Sequence, residues 1–407
     1  MATSAKRLKR LEQREWLLWI LTAATFLIFF QAYMVAPLIP HLASVFKVSN
    51  QTIGLIVPAY MIPYGVTSLI FGLVADRIGR KPVMLTSLFA IIFLPMLTAT
   101  AQSAWQLILW RFLTGLSASG TIPQVLTLIG ELFPYEQRGR PLGWVFGAMA
   151  GGMAFGSVFG ALLESTIGWR GLFIAIGLLA VVVFRLLWAQ RQLLGSARPS
   201  SPFNLNDLLA GYKSLLESNR GRRTYGYVLF NGIFHSGVYT WLGLYFTQRY
   251  GFDEVRIGLA LLGYGIPGTL LGPVIGRAAD RWGRNWLLPI GFTIAGLASA
   301  ALIFDIPPIV ATIAATSLSL GYDMTQPLLA GIVTDLGAER RGQAMGLNVF
   351  TLFIGFGVGG FLFGEALRFS FTTALTIFTI FMLAASLIAI ALFRSEGKGR
   401  KLLSKSH

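Results

Sequence analysis

The chain has 407 residues, of which 55% are hydrophobic and only 12% charged, and its mean hydropathy is +0.66. Soluble domains carry about 25% charged residues, so water is not the solvent for most of this surface. The formal net charge of +16 is no nucleic-acid footprint, because the basic residues sit between apolar stretches. The absence of cysteine excludes disulfides, thiolate ligands and cysteine nucleophiles.

Twelve apolar stretches of roughly 20 residues follow one another, each long enough to cross a hydrocarbon core of about 30 Å as a helix. They lie near 16–39, 52–75, 82–101, 104–130, 141–163, 171–190, 225–247, 257–277, 286–304, 308–333, 343–365 and 370–393. The first is too long for a signal-peptide core and has no small-residue cleavage site after it, so it is expected to stay in the membrane. Asn50-Gln51-Thr52 is a glycosylation sequon expected on the outer side, but it adjoins the membrane and says little. The second span runs into GLVADRIGRK, from Gly72 through Asp76, Arg77 and Gly79 to Arg80 and Lys81. There the charges sit at the membrane surface and Gly79 permits the tight turn into span three.

Span four carries Arg111 in LILWRFLTG, a guanidinium roughly 10 Å from the end of the span, and intramembrane charges are functional by default. Span five reads GWVFGAMAGGMAFGSVFGA, with Gly143, Gly152, Gly156 and Gly160 spaced for close helix packing. The widest break, 191–224, holds Pro199, Ser200, Ser201 and Pro202. After it Leu205, Leu208, Leu209, Tyr212, Leu215 and Leu216 recur at helical spacing, followed by Arg220, Arg222 and Arg223. An amphipathic helix lying on an anionic leaflet is expected there. In span eleven, Gly355 to Gly360 matches GxGxxG, but no strand precedes it and no acidic residue follows at the right distance, so it is no dinucleotide site. No GxxxxGK[ST] loop is present, and the three histidines, His41, His235 and His407, are too scattered for a histidine metal site. The other loops are short and leave no room for a soluble catalytic domain.

Of the 33 Lys and Arg residues, 27 fall in the N-terminal tail, every second loop with its flanking span ends, and the C-terminal tail. The positive-inside rule then puts both termini in the cytoplasm. The expected division is 1–190 as one six-helix bundle, 191–224 as a cytoplasmic linker, and 225–407 as a second bundle with a basic tail.

The halves repeat each other 204 positions apart. GLVADRIGRK returns as GRAADRWGRN, so that Gly72, Asp76, Arg77, Gly79 and Arg80 become Gly276, Asp280, Arg281, Gly283 and Arg284. The same offset carries Ile53, Gly54 and Leu55 onto Ile257, Gly258 and Leu259, and Tyr60, Ile62 and Pro63 onto Tyr264, Ile266 and Pro267. Thr121, Pro123 and Glu131 land on Thr325, Pro327 and Asp335, while Arg138 and Gly139 match Arg341 and Gly342 after one deletion. A period of half the chain marks a tandem duplication, and parallel repeats in a membrane belong to transporters that rock about a central site.

Twelve spans in two parallel halves, with GxxxDRxGR[RK] after span two, resemble the major facilitator superfamily. The resemblance implies an all-α membrane protein with 12 transmembrane helices in two pseudo-symmetric six-helix bundles. It also implies that Asp76 approaches the start of span eleven near Gly342 and Gln343, where the helix dipole favours a carboxylate. Glu131 with Arg138, and Asp335 with Arg341, look like further gating charges, as do Asp280, Arg281, Gly283 and Arg284. The span-five glycines match the antiporter motif of the drug:proton antiporter group, with Ser157 and Ala161 replacing the family's proline and last glycine. Arg111 with Gly115 matches the span-four pattern, with Thr114 where glutamine is usual.

In this superfamily spans one, four, seven and ten line the cavity, which nominates Gln31, Tyr33, Thr114, Asn231, Tyr239 and Gln326 for substrate. Asp323, Arg111 and His235 are nominated for proton coupling. Asp323 stands where the other half has Ser119, so the repeat does not demand its carboxylate. A buried carboxylate exchanges its proton as burial and nearby cations compete over its charge. Span one has no acid at its middle, which argues against strictly cationic substrates. The resulting expectation is a secondary transporter of the inner membrane, not an enzyme. It has no cofactor or metal, uses the proton gradient to export a small amphipathic or sugar-like molecule, and works as a monomer among anionic inner-leaflet lipids. An importer by symport or uniport, or a lipid flippase on the same fold, is the alternative.

Overall fold

The structure, a computed structural model, describes residues 2–133, 139–194, 205–268, 270–271, 274–275, 278, 283–336 and 341–396. Helices run through the described part of every predicted span, and no strand occurs among the described residues. Span one is Ala2–Tyr33, span two Pro58–Ile78, span three Arg80–Ala99, and span four Ala104–Ala118 continued by Ile122–Leu132. Spans five and six form Gly139–Ala189, folded at Gly168, whose φ of 69° only glycine adopts readily. After a helix at Leu205–Glu217 come span seven, Asn219–Tyr250, and span eight, which opens with Glu254–Leu261 and a tight turn at Leu262–Gly265. Spans nine to twelve are Arg284–Ala301, Pro308–Leu336, Arg341–Ala366 and Phe371–Leu392.

The helices restart at polar caps: Ser49, Ser103, Ser218, Asp253 and Ser370 each accept the backbone N–H three residues on. Gly79 and Gly283 turn the chain with φ of 94° and 90° and the same ψ of 156°, so the duplicated motif folds twice into one turn.

Packing repeats as well. Span one lies along span five and span seven along span eleven, three on six and nine on twelve, three on four and nine on ten. The two bundles meet along two equivalent seams, span two against eleven and span five against eight. Polarity is inverted relative to a soluble protein: Leu387, Phe381 and Ile313 are exposed while Arg111, Gln31 and Asn231 are buried. Only a hydrocarbon solvent rewards that arrangement. Seven helical stretches of the described chain are long and apolar enough to cross a membrane by composition, the fifth of them being the folded pair of spans five and six. Span seven falls outside that set because it carries Asn231, His235 and several hydroxyls into the interior.

The side chains of Gly72, Asp76, Arg77, Glu131, Gly143 and Arg341, and all of Asp280, Arg281 and Arg138, lie outside the described residues. The predicted gate is therefore seen only at Gly79, Arg80, Gly283, Arg284 and Asp335. Asp335 bonds to Arg220 of span seven at 2.7 Å, a partner the sequence did not suggest. Arg220 and Arg223 also grip Glu396, buried after span twelve. The helix Leu205–Glu217 turns Tyr212 and Leu215 onto Tyr225, Ala344 and Leu347 and leaves Leu209 and Leu216 exposed.

The described glycines of the span-five motif face span one. Gly152, Gly156 and Gly160 lie against the span-one backbone at Phe26, Phe30 and Met34, so they seal a joint within one bundle rather than between the two. Small residues on another face of span five meet span eight instead, Ala154 at Gly265 and Val158 with Ala161 at Gly258. A side chain at Gly160 would run into the Met34 carbonyl. Gly160→Leu should therefore cost about 1–3 kcal/mol, read as a lowered thermal midpoint in detergent; an unchanged midpoint would refute the close joint.

Candidate functional site

The interior between the bundles is an aromatic chamber at mid-depth. Tyr33 meets Tyr239 with ring centroids 5.7 Å apart, Tyr239 meets Tyr264 at 4.2 Å, and His235 stacks on Tyr322 at 3.7 Å. Phe356 of span eleven touches Tyr33, His235 and Tyr322. The chamber is closed on the face away from the termini. There Trp241 fills the gap beside Gly54 and Gly364, and Pro37 packs on Gly243. A cavity of about 10 Å³ remains beside His235, Asn231, Tyr264 and Tyr322, room for one water.

The duplication builds one element of this chamber twice. Gln31 and His235 stand 204 positions apart, as do Tyr60 and Tyr264. Gln31 donates to the Tyr60 hydroxyl at 3.3 Å, and the Tyr264 hydroxyl pairs with His235 Nδ1 at 3.0 Å. Both pairs join the first helix of a bundle to its second. The offset alone exposes this equivalence; it places Tyr60 on Tyr264, yet neither tyrosine is among the nominated site residues, and Gln31 and His235 are nominated for different roles. His235 Nε2 is buried without a partner.

The other nominated residues divide. Asn231 donates to Gln326 at 3.2 Å and accepts from Thr325 at 3.3 Å, so spans seven and ten share an amide cluster. Thr114 turns its hydroxyl back to the Trp110 carbonyl at 2.6 Å. Arg111 is fully buried and donates to the carbonyls of Gln31 and Ala32 at 3.1 and 3.2 Å, with its guanidinium 4.3 Å from the Tyr60 ring centre. No carboxylate bonds to it among the described residues, so a direct pair with Asp323 is not formed here.

Asp323 accepts from the Ser319 hydroxyl at 2.9 Å and from the Gly268 backbone N–H. The carboxyl sits so close to Gly268 that a side chain there would overlap it. No cation bonds to it among the described residues. In the other bundle the equivalent Ser119 pairs with Thr67 at 2.7 Å, hydroxyl to hydroxyl. The same joint between the second and fourth helices of a bundle thus holds a neutral pair in one half and a carboxylate in the other.

On the closed face a second ionisable group assembles from distant sequence. His41 Nε2 lies 3.1 Å from Glu164 and its Nδ1 3.6 Å from Glu254. The sequence reading nominated none of the three, and no local motif marks them.

The profile of the Major Facilitator Superfamily matches residues 21–263 and 228–407. The chain is 27% identical over 361 residues to the uncharacterized MFS-type transporter YceJ of Bacillus subtilis, covering 86% of this chain and 90% of that one. It is 23% identical over 358 residues to multidrug resistance protein 1 of the same organism, covering 85% and 89%. The solved structure of a D-xylose–proton symporter superposes with a TM-score of 0.74 at 15% identity, over 92% of this chain and 96% of that one.

Proposed function

This chain belongs to the Major Facilitator Superfamily, and from that premise we propose that it exports a small amphipathic or sugar-like molecule in exchange for protons. As a member it is a multi-pass membrane transporter of small molecules, not an enzyme, and needs no cofactor. The face bearing the termini is the cytoplasmic one of the inner membrane, as the placement of the basic residues supports. The linker helix then rests its exposed Leu209 and Leu216 on the anionic inner leaflet. Asp76, with the other charges of the duplicated motif, holds the cytoplasmic gate.

The observation that carries the reading is the Asp323 carboxyl, bonded to neutral donors of two spans where the repeat needs none. A carboxylate within a membrane span, with no cation bonded to it among the described residues, is costly unless it can take up a proton. Protonation would also loosen its hold on Gly268, linking the proton to the packing of span eight on span ten. The Asn231–Gln326 amides and the chamber tyrosines offer hydrogen bonds and ring faces to a polar but largely uncharged substrate. The relative named for multidrug resistance supports export.

The test uses proteoliposomes enclosing a pH-sensitive dye, with isopropyl thiogalactoside as the sugar-like probe and chloramphenicol, which is uncharged, as the amphipathic one. An inward gradient of a transported probe should drive protons outward. Protons moving with the probe would make the chain a symporter, and no movement with either probe would overturn the substrate class.

A further inference from the structure

We propose that His41, Glu164 and Glu254 form a proton-binding latch that fastens the two bundles together on the closed face. The proposal rests on alternating access in this chain and is independent of which group carries the coupled proton.

The three residues come from three elements. His41 sits on the short helix Ile39–Phe46 after span one, Glu164 at the end of span five, and Glu254 at the first turn of span eight. Two belong to one bundle and the third to the other, so the contact exists only while this face is shut. It lies at the end of the five–eight seam, where Gly258, one turn beyond Glu254, packs on Val158, Ala161 and Leu162.

The two imidazole nitrogens face different carboxylates. A neutral imidazole has one N–H and can serve only one of them; the imidazolium donates to both. Without that proton two carboxylates oppose each other across the seam with no cation between them, and like charges at this range repel. With it, one positive charge bridges both. Charges on the neighbouring elements are Arg249 and Asp305, Asp253 and Arg256 beside Glu254, and Lys47 after the helix of His41. On span seven Arg249 pairs with Asp305 at 3.2 Å, Asp253 caps the Arg256 N–H at 2.9 Å, and Lys47 follows the helix of His41.

The direction of the pH effect follows from Glu164. Its side chain is 8% exposed in the closed arrangement, where a carboxylate charge is costly unless a proton on it or on the facing imidazole offsets it. Parting the bundles rehydrates it. The closed state therefore binds protons more tightly than the open one, so closure strengthens as pH falls and weakens as pH rises. In an exporter driven by an acidic exterior, this device would favour closing the outer face after protons arrive.

The absence of native cysteine allows spin labels at Gln102→Cys and Thr372→Cys, exposed positions on the far ends of the two bundles. Double electron–electron resonance then reads the distance across the face, at about pH 5.5 and about pH 8, with EDTA present to remove bridging metal. The short-distance population should grow at the lower pH in the otherwise native chain. That shift should be lost in His41→Gln and in Glu254→Gln. A distribution that ignores pH, or a shift that survives both substitutions, overturns the latch. So does closure that appears only when EDTA is omitted, since the three ligand atoms lie within 4.8 Å of one another and a metal would then be the fastener. Failure here leaves the antiport test intact, because that test reads proton movement and not distance.

Discussion

Asp323→Asn should abolish accumulation driven by a pH gradient, down to the level of liposomes without a gradient, while substrate still equilibrates down its own gradient. Asparagine keeps the shape of the carboxyl. Its oxygen can still accept from Ser319 and from the Gly268 N–H, so the joint between spans eight and ten survives in the neutral form. What it cannot do is alternate between charged and neutral. Coupling requires proton and substrate to alter each other's affinity by the same factor, and a group that never ionises contributes no such factor. The exchange rate of the variant should also lose its dependence on pH. Asp323→Glu supplies a contrast: it retains a titratable carboxyl but pushes an extra methylene toward a glycine backbone already in close contact. That variant should retain weak coupling with a lowered thermal midpoint. Accumulation by the asparagine variant under an imposed pH gradient would remove Asp323 as the coupling group.

The architecture could be read from sequence because it depends on redundancy. The Gly79 turn was legible twice, as a motif and as its copy at Gly283, and both adopt one conformation. Apolar length predicted each helix because backbone in hydrocarbon has few alternatives. Individual side-chain partners were legible only where the repeat could be consulted. The Gln31–Tyr60 and His235–Tyr264 pairs obey the offset, whereas Asp335 with Arg220 and His41 with Glu164 and Glu254 obey none. Those contacts depend on how helix ends meet at a face, and each residue alone is an ordinary charge beside a loop. Span five shows a different limit. Glycine spacing correctly marks a face that approaches a neighbour, but spacing does not say which neighbour, and here it is span one.

Arg111→Ala should destabilise the protein by on the order of 3–5 kcal/mol, more than it alters substrate affinity, because this arginine completes a broken helix. Span one stops at Tyr33 and the chain re-forms at Ala36–Leu38, with Pro37 unable to supply an N–H. The carbonyls of Gln31 and Ala32 fall in that last turn, where an α-helix leaves its acceptors unmet. Arg111 donates to both from span four, and a cation there also suits the helix dipole. The repeat explains why one arginine suffices. The positions equivalent to Gln31 and Ala32 are His235 and Ser236, which lie inside the unbroken span seven, and the position equivalent to Arg111 is Ala315. Where the helix does not break, no donor is required. Arg111→Lys keeps the charge but not the fork that reaches two carbonyls, so its thermal midpoint should fall between those of alanine and arginine. Loss of transport in Arg111→Ala at an unchanged midpoint would refute the capping role and return the residue to the proton pathway beside Asp323. A midpoint lowered by several degrees, partly restored by lysine, would make the span-one break the feature that Arg111 maintains. That break then matters to function, since it aims Tyr33 into the chamber and starts the helix that carries His41 to the closed face.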